Sequence, residues 1–114
     1  NSKAIELAAK RGVDVVPGDA YDLDFEDEEF DAVFMGDVLE HLEFPKKAIE
    51  EARRVLKYCL YVVIPRKETW LDPLGQYHDW TPEEMKKMVE GEGFILEGEI
   101  EDANRKMYGK FRKI

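Results

Sequence analysis

A chain of 114 residues, 44% hydrophobic and 38% charged, has the composition of a globular domain and excludes a disordered tail. The formal net charge of −9 argues against a nucleic-acid backbone as the main partner, because phosphate binding takes clustered lysine and arginine. The longest apolar run, residues 58–64, is too short to span a bilayer. No charged-then-apolar leader is seen, so no membrane association and a cytoplasmic location are expected.

Ser2 can cap a helix whose apolar positions Ile5, Ala8 and Ala9 share one face, with Gly12 as its stop. Residues 13–16 read as a short strand broken at Pro17 and Gly18. The acidic stretch 19–29 reads as a loop pinned by Tyr21, Leu23 and Phe25, with residues 26–29 solvated, and residues 30–35 read as the second strand. Pro45 suits the first turn of a helix, and Ala48, Ile49, Ala52, Val55 and Leu56 follow amphipathic spacing. Residues 58–64 are nearly free of charge and close at Pro65, as in a strand buried on both faces. Cys59, inside that run, is the only cysteine; it excludes an internal disulfide and a cysteine-rich zinc site and reads as a buried, inert thiol.

Residues 66–80 lack periodicity and carry Trp70, His78 and Trp80. Thr81, Pro82, Glu83 and Glu84 form a capping box with proline at the first helical position, and Met85, Met88 and Val89 give the following helix its core face. Two strand-like runs, 94–102 and 105–114, flank Ala103 and Asn104 as a hairpin. Its basic residues Arg105, Lys106, Lys110, Arg112 and Lys113 are matched by Glu97, Glu99, Glu101 and Asp102. Side-chain amides are confined to Asn1, Gln76 and Asn104, a bias seen in heat-adapted proteins. The order of elements is that of an α/β fold with a mainly parallel sheet.

In open parallel sheets, ligands collect beyond the carboxyl ends of the strands. Two strands here finish alike, in Gly18-Asp19-Ala20 and Gly36-Asp37-Val38. Glycine admits close approach to the backbone, the acid accepts hydrogen bonds, and the next residue offers an apolar surface and an N–H. Each acid taken alone also reads as a turn residue. Together they mark one crevice.

With the "FDAV" strand, the loop anchors Leu23 and Phe25, the "LEHL" turn and the "WTPEE" helix start, the chain resembles the middle and C-terminal part of a class I S-adenosylmethionine-dependent methyltransferase of type 11. The resemblance implies a partial Rossmann-like α/β sheet, mainly parallel with a C-terminal antiparallel hairpin and lacking the first two strands. It makes residues 1–114 one truncated methyltransferase-like domain. It further implies that Asp19 accepts from the adenine amino group and that the Ala20 N–H meets a ring nitrogen. Gly36, Asp37 and Val38 would lie along the methionine and ribose. Glu40 and His41 would border the acceptor, with either able to act as a base, and Tyr77, His78 and Trp80 would cover it. Read singly, His41, His78, Trp70 and Trp80 also suit surface or packing roles.

The family's glycine-rich D-x-G-x-G-x-G turn and its ribose-holding acid do not occur in this sequence. The first residues match the helix after that acid. The expectation is therefore methyl transfer to a small-molecule acceptor by the intact parent protein, with weak or no S-adenosylmethionine binding by this chain alone. The two acid-tipped strands would have to pair directly, leave edges exposed, or borrow strands through homo-oligomer or strand-exchanged association. Two alternatives compete. One is a non-catalytic interaction module. The other is a metal-assisted RNA methyltransferase using Asp37, Glu40, His41 and His78, although the preferred reading assigns no metal.

Overall fold

The computed structural model describes residues 4–10, 14–65 and 80–114, those before Ala20 in backbone only. Ser2, Gly12, Val13, Trp70, Tyr77 and His78 lie outside the described residues. The elements are β1 (Ala4–Lys10), β2 (Asp14–Asp19), β3 (Phe30–Gly36), a 3-10 turn (Leu39–His41), α1 (Pro45–Val55) and β4 (Leu56–Pro65). After these come α2 (Pro82–Glu90), β5 (Phe94–Leu96), β6 (Glu101–Ala103) and β7 (Lys106–Lys113). Among the described residues they build a seven-stranded sheet in the order β2-β1-β3-β4-β7-β5, with β6 also on β7.

The sheet is mixed. Among the described strands only β3 and β4 pair in parallel, because β1 and β7 run against their neighbours. The expected common direction survives as orientation, since β2, β3, β4, β5 and β6 all point one way. The fold is α/β, as expected.

The first segment departs from its local pattern. Where the spacing of Ile5, Ala8 and Ala9 predicts a helix, residues 4–10 form β1. The strand pairs with β2 from Ala4 to Ala9 and with β3 from Ala8 to Lys10. Ladder hydrogen bonds on both sides outweigh a helix preference of a few tenths of a kcal/mol per residue. Thus β2 and β3 neither pair directly nor need a second chain, because a strand of the same chain lies between them. Nor does β2 stop at Pro17; it continues to Asp19. As an edge strand it tolerates a residue that cannot donate on its free side.

Both helices cover one face of the sheet, α1 over β4 and α2 over β5 and β7, and they touch each other. Ala48, Ile49, Ala52, Met85 and Val89 are buried there against Met35, Leu60, Val62, Ile64 and Phe111. This placement revises the reading of β4. The face bearing Leu60, Val62 and Ile64 is fully buried, whereas on the other face Cys59 and Tyr61 are half-buried and only Val63 is buried.

Local signals account for the rest. Thr81 Oγ1 accepts from the Glu84 N–H at 3.2 Å, and Glu84 Oε1 accepts from the Thr81 N–H at 2.9 Å. Replacing Thr81 with alanine is expected to cost about 1 kcal/mol. That lowers the thermal midpoint by roughly 5 °C in a domain of this size, measurable by circular dichroism; an unchanged midpoint would assign α2 to packing alone. The hairpin turns one residue later than expected, at Asn104 and Arg105, both with positive φ (53° and 64°), as a two-residue turn between twisted strands requires, and the run 94–102 divides into β5 and β6. The matched charges are present, with Glu97 within 3.4 Å of both Lys110 and Arg112.

The acidic loop is held more firmly than its composition suggests. Leu23 is buried and Phe25 sets its ring edge-on to Phe30 at 4.9 Å. From α1, Arg54 donates to the carbonyls of Leu23 and Phe25, to Glu51 and to Asp27, all within 3.1 Å. Glu51 Oε1 in turn accepts from the Leu23 N–H at 2.9 Å.

Candidate functional site

Because β2 and β3 point the same way, their tips lie on one edge of the sheet. Val15 and Phe34 are both opposite Ala8 of β1, and from that common level β2 runs four residues on to Asp19 and β3 three residues on to Asp37. Where both strands flank Ala8, two strand spacings, roughly 10 Å, separate β2 from β3. Beyond β2, Ala20 is buried.

The tip of β3 folds abruptly. Asp37 takes a left-handed backbone, φ 55°, a conformation that acids tolerate better than most residues. Its N–H still reaches the Val63 carbonyl of β4 at 2.9 Å. One 3-10 turn follows, closed by the His41 N–H on the Val38 carbonyl and the Leu42 N–H on the Leu39 carbonyl. The turn buries Val38, Leu39 and Leu42, and with them Glu40, which is 1% exposed. An apolar strand thus runs into acids because its last turn packs back into the core and carries one acid inside.

The charges at this tip are unevenly satisfied. Asp37 Oδ2 accepts from Lys106 Nζ at 2.6 Å, and this hydrogen bond raises the lysine above its ordinary value. Asp37 Oδ1 and both Glu40 oxygens are buried with no hydrogen-bond donor. His41 Nε2 lies 3.3 Å from Glu40 Oε2 without donating to it. Burial pushes Glu40 up to about 7; the field of its own backbone N–H, His41 and Lys106 pull the other way, while Asp37 adds to the rise.

Asp37, Glu40 and His41 therefore sit together, and Gly36 and Val38 flank them. Near Gly36 the space is not open: a Cβ there would come within 2.5 Å of the Phe34 ring. Trp80 lies elsewhere, on a groove of about 610 Å³ lined by Phe44, Pro45, Lys47, Glu84 and Met88 among others. Among the described residues no three His, Cys, Asp or Glu side chains converge as metal ligands. The sequence reading placed Lys106 in the solvated hairpin and missed its role. The signal was topological, since β7 starts opposite Pro65, at the edge where β4 ends.

A family model described as a methyltransferase domain matches residues 1–62. The chain belongs to this methyltransferase family. Over 52 residues it is 54% identical to an uncharacterized protein of Methanocaldococcus jannaschii, covering 46% of this chain and 25% of that protein. A Thermotoga maritima structure titled as an S-adenosylmethionine-dependent methyltransferase, possibly acting on histamine, superposes with TM-score 0.73 and 23% identity. That match covers 92% of this chain and 66% of the other. A Burkholderia thailandensis N1-methyltransferase holding its substrate and S-adenosylhomocysteine gives TM-score 0.68 at 14% identity, over 86% of this chain and 49% of that one. The methyltransferase chain thus spans a quarter of its curated relative and 66% or less of these structures. The fold is Rossmann-like and the cofactor of the family is S-adenosylmethionine. No helix among the described residues is long and apolar enough to cross a membrane.

Proposed function

We propose that this chain forms one wall of an S-adenosylmethionine pocket in a cytoplasmic enzyme that methylates a small molecule. The observation that carries the reading is the placement of both Gly-Asp tips on one sheet edge with a single strand between them. Asp19 and the Ala20 N–H would take the adenine, while Gly36, Asp37 and Val38 would follow the ribose and methionine portion. The acidic lining at Asp37 and Glu40 suits a sulfonium cation. That cofactor supplies an electrophilic methyl group, and the chain's own residues position what meets it. The net charge of −9 supports a small acceptor over RNA.

None of the 114 residues supplies a D-x-G-x-G-x-G turn, so binding by this chain is expected in roughly the millimolar range, about −4 kcal/mol. Saturation-transfer NMR on S-adenosylmethionine should show contact at its adenine protons, weakened several-fold by Asp19→Ala. No transfer from the unmodified chain would count against the reading. One observation favours the interaction-module alternative: the Phe34 ring already fills the space beside Gly36. The same experiment separates the two, since such a module transfers nothing to the cofactor.

A further inference from the structure

At the tip of β3, three carboxylate oxygens are buried without a donor: Asp37 Oδ1 and both oxygens of Glu40. Leaving such acceptors unpaired inside a protein costs stability, so their arrangement calls for a ligand that donates. We propose that the methyl acceptor is an amine, whose N–H groups are received by these three oxygens and whose surplus proton passes to Glu40. This rests on the methyl-transfer reading above.

The number of donors selects the class. A hydroxyl offers one proton and a carboxylate offers none, whereas a primary amine offers two and its ammonium form three. Charge points the same way, because Asp37 and Glu40 attract a cation and repel an anion. Asp37 lies at the surface, its side chain 42% exposed while its Oδ1 atom is buried. The charged groups facing Glu40 are His41, Asp37 and Lys106. Lys106 is engaged with Asp37 Oδ2, on the oxygen the amine does not need.

An ammonium cannot attack, so Glu40 as a carboxylate first removes a proton and frees the nitrogen lone pair. The lone pair forms the N–C bond to the methyl carbon as the C–S bond breaks, its electron pair staying on sulfur as a neutral thioether. The positive charge moves to nitrogen, the product leaves as the methylated ammonium, and Glu40 returns its proton to solvent. Burial helps here, since a carboxyl raised toward neutrality is a better match for an amine than an ordinary one.

Benzylamine, benzyl alcohol and benzoate are suitable probes, differing in donors and charge. The chain labelled with 13C-carboxyl glutamate is titrated with each, the Glu40 signal being identified by its absence in Glu40→Gln. Benzylamine should move that signal saturably and bind at least tenfold more tightly than benzyl alcohol or benzoate. Glu40→Gln and Asp37→Asn should each weaken benzylamine at least tenfold, while S-adenosylhomocysteine shifts the Ala20 amide of the unmodified chain. Equal binding of the amine and the alcohol, or amine binding unaltered in both variants, overturns the proposal. If S-adenosylhomocysteine shifts Ala20 but benzylamine leaves Glu40 unmoved, the amine assignment fails and the methyl-transfer reading stands. If benzylamine binds and S-adenosylhomocysteine shifts nothing, methyl transfer fails and the acceptor role falls with it.

Discussion

Replacing Arg54 with methionine is expected to destabilise the fold by about 3 kcal/mol, lowering the thermal midpoint by roughly 15 °C. Methionine keeps the length of the stem and part of its packing, so the loss reports on the guanidinium. Without it the carbonyls of Leu23 and Phe25 lose a donor each, and Glu51 loses its partner at 2.6 Å. Glu51 also gives the variant a signature in pH. The Arg54 hydrogen bond holds Glu51 below its ordinary 4.5. Its contribution is therefore present above about 4.5 and lost as pH falls through the lowered value. Arg54→Met should remove that acid-side loss. A change under 1 kcal/mol in urea titrations would mean that Leu23 and Phe25 anchor the loop unaided.

Glu40 is expected to act in the opposite sense. Its folded value of about 7 stands above the ordinary 4.5, so the folded state holds a proton that the unfolded chain has released. Stability is greatest below 4.5, declines as pH rises through this window, and levels off above 7 about 3 kcal/mol lower. Glu40→Gln cannot ionise and should flatten the decline, leaving the variant more stable than the parent at pH 8. Urea titrations every half unit from pH 4.5 to 8 measure this. Parallel curves for parent and variant would show that Glu40 is ionised throughout.

Features carried by local chemistry were legible in the sequence. Thr81 to Glu84 announce a helix start wherever they occur, and the Ala48–Ile49–Ala52–Val55 spacing defines the buried side of α1. The Gly-Asp tips could be assigned to one edge because the flanking strands share a direction. What could not be read depends on distant partners. Residues 4–10 carry helical spacing but gain more from pairing with β2 and β3 than from their own turns. Arg54 looks like any exposed basic residue on a helix until the loop from Leu23 to Asp27 is laid against it. Glu40 is a residue type found at surfaces, and only the tight turn between Val38 and Leu42 reveals why it is inside. Lys106 meets Asp37 because β4 lies between them in the sheet.

Titrating S-adenosylhomocysteine into the 15N-labelled chain and following every backbone amide tests most directly whether the two strand tips share one cofactor. The predicted result is a set of shifts centred on Asp19 and Ala20 and on Gly36, Asp37 and Val38, all saturating with a single dissociation constant. Shifts at one tip only, shifts centred on Phe44 and Trp80 instead, or none at millimolar ligand would contradict it.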